Sequence, residues 1–293
     1  VACRSKRNPI ELGHYRRCCP LDWTADLRTA DLCLDMPPQA LYQYGMTAVL
    51  SPFKTPAKPG LRRPPLENGD CLSAPEFLRR YEAMPQVKKA ELIEGIVYMA
   101  SPVRFDSHSV PDSFVQLWLG AYAAATPGTQ VGANGTVKLD IENVPQPDAV
   151  LRIIEECGGA SRLDEKGYLV GPPEMVVEIA ASSSSLDLHD KLRAYRRNGV
   201  KEYLVWRTLD AEFDWFVLED GDFRRQSPDP KGLCHGGTFP GLVLNVPALL
   251  AQDGAAALAT LSAGFKSKVH QAFVAELAVR QAGNQGRKAK AGN

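Results

Sequence analysis

Residues 174–181, Glu-Met-Val-Val-Glu-Ile-Ala-Ala, constrain the fold of this chain more than any other stretch. Near-continuous hydrophobicity over so short a run marks a central strand buried on both faces. Yet the run carries Glu178 between Val177 and Ile179. A carboxylate among dry neighbours costs several kcal/mol unless it is paired, protonated or bound to a cation. One account is a buried ion pair, for instance with an arginine of the following helix. The other is a functional site, since buried charges also gather there.

The elements around that strand alternate in type. Ser73-Ala-Pro-Glu76 opens a helix to about Met84, with Ser73 as N-cap and Glu76 completing a capping box. Ala90–Ala100 reads as a hairpin turning at Glu94-Gly95. An apolar helix from about His108 to Ala125 stops before Pro127-Gly128. Gln130–Asp140 and Asp148–Glu155 read as strands. After the Glu178 strand, Ser182–Ser185 leads into a helix ending near Gly199, with Ser184 and Asp187 as a second capping pair and Leu188, Leu192 and Tyr195 as its apolar stripe. Residues 202–207 and 212–219 are two more strands, and Pro240–Leu250 reads as a short extended segment entering a C-terminal helix over about 255–281. The sum is an α/β domain over residues 71–250. Residues 251–293 are expected as a C-terminal helix and a basic, disordered tail. Residues 1–45 lack periodicity and read as disordered or as lying outside the natural product, and the proline-rich stretch 51–70 reads as a linker.

Charge narrows the function classes. The whole chain is formally neutral, but residues 67–231 hold 18 Lys and Arg against 27 Asp and Glu, a net −9. An acidic body argues against tight non-specific coating of nucleic acid. Phosphate chemistry would need locally focused basic groups or a recruited cation. No apolar stretch reaches the roughly 20 residues of a membrane span, and no signal peptide is visible, so a cytoplasmic protein with no membrane partner is expected. The seven cysteines are not spaced as a zinc site or a disulfide framework.

Asp148 stands at the mouth of a strand, after Pro147, about thirty residues before Glu178. It could cap a turn. Two carboxylates at the ends of neighbouring strands are also a natural site for Mg²⁺ or Mn²⁺, whose hard shell accepts oxygen ligands and keeps room for water and phosphate. Lys191 lies one turn into the helix after the Glu178 strand and can reach back to the strand end. The arginines near it, Arg193, Arg196 and Arg197, read as a solvated face. Trp215 and Phe216 could form a stacking platform for bases, although the alternation around them favours packing. Ser182–Ser185 lacks the Gly-x-Ser-x-Gly turn of a serine hydrolase.

Taken in order, Glu91-Leu-Ile-Glu-Gly95, Ser101-Pro102, His108, Gln146-Pro-Asp148, Val176-Val-Glu-Ile179, Ser182–Ser185, Asp187, Lys191, Tyr195 and Gly199-Val-Lys-Glu-Tyr203 resemble the Uma-two family, a branch of the PD-(D/E)XK nuclease-like superfamily. The resemblance spans roughly residues 72–250. It implies a restriction-endonuclease-like mixed central sheet flanked by helices. It also implies metal-dependent hydrolysis of DNA phosphodiester bonds, with Asp148 and Glu178 as metal ligands and Lys191 and Glu91 completing the catalytic set. The superfamily's lysine two residues after the glutamate is Ala180 here, and Lys191 matches the family's displaced lysine. Glu94 is the weaker acidic candidate. His108 matches a recurrent histidine that could equally serve a helix start. A homodimer would supply two sites for cutting a duplex. The alternative is a nuclease fold that binds nucleic acid or protein without cutting.

Overall fold

The computed structural model describes the backbone of residues 64–291 and the side chains of residues 64–286. The extension at 1–45 and most of the linker lie outside the described residues. In chain order the elements are α1 (Ala74–Tyr81), β1 (Ala90–Ile93), β2 (Ile96–Met99), α2 (Val110–Ala125), β3 (Thr129–Ala133), β4 (Val137–Lys138), β5 (Ala149–Ile153), β6 (Arg162–Leu163) and β7 (Leu169–Val170). Then come β8 (Met175–Ala180), α3 (Ser184–Leu186), α4 (Leu192–Asn198), β9 (Glu202–Arg207), β10 (Glu212–Glu219), β11 (Asp222–Gln226), β12 (Leu233–His235), β13 (Val243–Asn245), α5 (Val246–Leu250), α6 (Gly254–Phe265) and α7 (Lys268–Ala291). Five-residue π-helical turns precede α2, at Phe105–Ser109, and α4, at Asp187–Lys191.

A six-stranded sheet in the order β11-β10-β9-β8-β5-β3 forms the middle of the fold. It is mixed: β8 and β9 run parallel, and the other neighbours are antiparallel. This is the α/β sheet that the sequence predicts. All six residues of β8 are buried, as its unbroken hydrophobicity requires. One face, carrying Met175, Val177, Ile179, Leu204 and Trp206, packs on α2 and the C-terminal helices. The other, carrying Val150, Val176, Ala180 and Val205, is covered by Tyr195 and Leu192 of α4. Strand side chains alternate between faces, so Glu178 shares the α4 face with Val176 and Ala180.

Local expectations hold unevenly. Glu94 and Gly95 both take positive φ, 51° and 77°, the backbone of a tight hairpin turn. Gly199 ends α4 at φ 84°, with its N–H on Arg196 O and Val200 N–H on Tyr195 O, the paired closure that glycine permits. Neither capping box forms. Ser73 is the N-cap of α1 but its hydroxyl makes no cap bond, and Glu76 turns instead to Arg79 and Arg80 at 2.6–2.7 Å. Ser183 rather than Ser184 takes the N-cap position of the second helix, again without a side-chain cap bond, and Asp187 is drawn inward.

Gln130–Asp140 is two strands in different sheets, because Asn134 at φ 52° and Gly135 break the run. β11 and β12 are not visible in the sequence because they are short and polar or turn-flanked, whereas β13 falls in the extended segment expected over Pro240–Leu250. The C-terminal helix is two, and α7 continues as helix to Ala291 through the segment expected to be a disordered tail. Leu261 of α6 and Leu277 of α7 are buried in the main core. Trp215 is buried, donating its indole N–H to Glu202 at 2.8 Å, and Phe216 stacks on Tyr203, so this pair is packing and not a base platform. Among the described residues, no helix is long and apolar enough to cross a membrane.

Candidate active site

The antiparallel register of β5 and β8 pairs Ala149 with Val177 and Val150 with Val176. Continued by one residue, it sets Asp148 opposite Glu178. Side chains directly opposed on one face stand about 5 Å apart at Cβ, so two acids thirty residues apart in sequence meet at the sheet's end. Both are buried, at the floor of a cleft of about 550 Å³. Like charges this close repel strongly in a poorly solvated setting, and neighbouring cations answer them.

Asp148 accepts from the Ile179 N–H at 2.8 Å and from Lys89 Nζ at 3.0 Å, and His108 Nε2 stands 3.4 Å from its second oxygen. Burial pushes this carboxyl up, but the His108 contact, the Lys89 charge and the Ile179 N–H outweigh it and hold it well below the usual carboxylate range. Glu178 accepts from Lys191 Nζ at 3.0 Å and Tyr195 Oη at 2.9 Å. Here burial wins: with Asp148, Asp187 and Glu91 adding repulsion against the Lys191 attraction, Glu178 is pushed up to about 8. Two acids of one site are thus driven in opposite directions, the pattern of groups given different protonation work.

Lys191 ties the cluster together. Its ammonium lies 3.0 Å from Glu178, 3.1 Å from Glu91 and 3.4 Å from Asp187. Burial disfavours its charge, but those three acids raise its pKa well above the ordinary value, so it stays protonated. Glu91 in turn accepts the Gln146 N–H at 2.7 Å, which fixes β1 against the segment leading to Asp148. Asp187 accepts from Ser183 Oγ at 2.5 Å. The π-helical turn that contains Asp187 and Lys191 turns both inward. Such insertions recur at functional sites because the extra residue re-aims side chains.

All four sequence-proposed site residues, Asp148, Glu178, Lys191 and Glu91, therefore line one cleft. Glu94 lies outside it, in a surface ion pair with Arg197 at 2.8–3.0 Å. His108 is no helix cap; it faces Asp148 from the other π-helical turn, and the Asp148 contact raises its pKa despite burial. Lys89, Asp187 and Tyr195 went unrecognised as site residues. Lys89 and Glu91 are two apart on an extended segment and so share a face, a spacing that could have brought Lys89 into view.

A family model described as "Putative restriction endonuclease", Uma2, matches residues 74–247. The chain belongs to the Uma2 family. A match of that extent takes in every residue of the cleft. A similar solved structure, a "putative nuclease belonging to DUF820" from Anabaena variabilis, is 14% identical and aligns over 59% of this chain and 97% of its own length, with a TM-score of 0.47. No curated protein matches the chain. The lysine expected from the helix after Glu178 has a spatial reading here. Ala180 is buried beneath the α4 face, and Lys191 brings its ammonium to Glu178 from the neighbouring turn.

Proposed function

We propose that the chain is a cytoplasmic, metal-dependent endonuclease that hydrolyses DNA phosphodiester bonds. The observation that carries this reading is the opposition of Asp148 and Glu178, two buried carboxylates from adjacent strands, at the floor of an open cleft. The donor set suits Mg²⁺ or Mn²⁺: hard carboxylate oxygens and no thiolate. Among the described residues, no group of three or more His, Cys, Asp or Glu forms a ready-made metal cage. Mg²⁺ is commonly held by one or two carboxylates together with waters and substrate phosphate.

Asp148 and Glu178 would hold the ion, which when bound would lower the pKa of a water and polarise the phosphoryl oxygen. Lys191 keeps a permanent positive charge beside Glu178, where it can offset the charge that develops on the phosphate. Glu91 and Asp187 hold that ammonium in place from the other side. Lys89, partly exposed at the cleft, gives a second cation for the same phosphate.

A second reading, a nuclease-fold module that binds nucleic acid or protein without cutting, has one observation in its favour. Both carboxylates already carry ammonium partners, Lys89 on Asp148 and Lys191 on Glu178, and an incoming cation must displace or rearrange one. Calorimetry with Mg²⁺ and Mn²⁺ on the wild type, Asp148→Asn and Glu178→Gln separates the two. Binding that either substitution abolishes, followed by cleavage of single-stranded, duplex or branched DNA, supports the nuclease. Wild-type protein that binds neither ion, with or without DNA, sinks it and leaves the binding module.

A further inference from the structure

The mouth of the cleft differs from its floor. Phe105 is 79% exposed, Val103 63% and Leu209 64%, and exposed apolar side chains gathered at one opening mark a surface that meets a partner or ligand. Val103, Arg104 and Leu209 line the cleft, and Phe105 opens the π-helical turn whose fourth residue, His108, faces Asp148. Thr208 Oγ1 donates to Ser107 O at 2.7 Å, tying the β9–β10 loop that carries Leu209 to this turn. Arg104 O accepts the N–H groups of His108 and Ser109 at 3.2 and 3.1 Å, so the turn is internally braced. Among the described residues, the Arg104 guanidinium has no ion pair or hydrogen bond.

That free charge contrasts with the basic helix expected to face solvent. Arg193 pairs with Asp190, Arg196 with Asp222 and Arg197 with Glu94. The acids that flank the mouth in sequence are engaged as well: Asp106 accepts the Ser107 N–H at 2.7 Å and Asp210 pairs with Arg207 at 3.1 Å. What is left unspent at the mouth is one guanidinium and an exposed apolar rim led by an aromatic ring.

We propose that Arg104 and Phe105 form a binding site for single-stranded nucleic acid at the cleft mouth, Phe105 stacking on an unpaired base and Arg104 taking the adjoining phosphate. A duplex hides its base faces inside the stack and presents phosphates. One free arginine at this mouth, on a body whose residues 67–231 are net −9, is poorly matched to that surface. A single strand presents base faces, which an exposed aromatic recognises whatever the sequence. The inference rests on the nucleic-acid reading of the cleft and names its substrate class: DNA with unpaired bases, as in single strands, flaps or bubbles.

The test measures binding of the full chain to a 2-aminopurine oligonucleotide, single-stranded or annealed, in EDTA, so that no metal and no hydrolysis enter the readout. Wild type is expected to prefer the single strand and to quench 2-aminopurine. Phe105→Ala should weaken binding by about tenfold, the order expected for one lost stacking contact, and abolish the quench, whereas Phe105→Trp retains both. Arg104→Gln should reduce the slope of log K against log salt by about 0.7, one phosphate's share for a single strand, and Phe105→Ala should leave that slope unchanged. Equal affinity for single strand and blunt duplex, or unaltered binding by Phe105→Ala, overturns the proposal. So does a change of sedimentation by Phe105→Ala without a change in DNA binding, which would make the rim a contact between copies of the chain. Phe105-dependent binding by a protein that holds no metal would keep this site while the hydrolytic reading falls.

Discussion

Glu178 and Glu202 lie on neighbouring strands of one sheet, both fully buried, and they face opposite sides of it. Glu202 looks into the larger core, where Thr238 N–H and Trp215 Nε1 donate at 2.6 and 2.8 Å, one to each oxygen. Burial raises its pKa and these neutral donors pull it back part of the way. Glu178 looks toward the cleft, and its partners are a tyrosine hydroxyl and an ammonium that two further acids share. A carboxyl closed in by neutral donors is a structural tie. One balanced by a shared charge beside an opening can exchange a partner for a ligand. Burial of an acid alone does not distinguish the two; the identity of its partners does.

The largest expected effect comes from the ammonium that holds the cleft side together. Lys191→Met leaves Glu178, Glu91 and Asp187 without their shared cation, and a loss of about 3–5 kcal/mol is expected in urea unfolding at neutral pH. A loss below about 1 kcal/mol would mean that the acids are already neutral in the folded protein. Next, Glu202→Gln should cost about 1–3 kcal/mol through mismatched donors while leaving metal affinity intact. Glu178→Gln should do the reverse, reducing cleavage by more than the roughly 10–100-fold typical of a lost outer partner. If Glu202→Gln were the variant that loses metal affinity, the contrast between the two faces would be wrong.

A smaller signal lies in pH. Because folding raises the Glu178 pKa, its ionisation opposes folding, and this penalty grows from the ordinary value of 4.5 up to about 8 and is constant above it. Wild type should therefore lose stability relative to Glu178→Gln as pH rises through that window. Asp148 has the opposite sign. Its depressed pKa stabilises the fold above its ordinary value and is lost as pH falls below that value, so Asp148→Asn should flatten the acid limb. The smallest change is expected at the exposed Arg193–Asp190 pair, where Arg193→Ala should stay within about 0.5 kcal/mol.

The β8 strand, its acid and the helix after it were legible because an unbroken apolar run and a glycine stop are local properties. Lys191 was legible for the same reason: its place on that helix comes from counting. Lys89 and Asp187 were not, since each becomes a site residue only when β1 and the π-helical turn are brought against β8. Asp187 in particular sits where a capping residue belongs, and local sequence does not separate a cap from an inward-facing acid. The break at Asn134-Gly135 could be read as a turn only by giving those two residues more weight than the apolar positions around them. Trp215 shows the converse. Its aromatic character suggested a surface for bases, but alternation along β10 already placed it inside.

The two π-helical turns make this site depend on residue counts as well as residue types. An α-helix turns about 100° per residue, so each added residue shifts the phase of every side chain beyond it. Deleting one residue between Asp187 and Lys191 would rotate Lys191 and Tyr195 together by about 100° relative to Asp187, so the three could not all keep their buried places. The same holds at Phe105–Ser109, where one turn sets Phe105 at the rim and His108 at the floor. In a protein built this way, a one-residue deletion in either turn can silence the cleft without removing a single cleft residue.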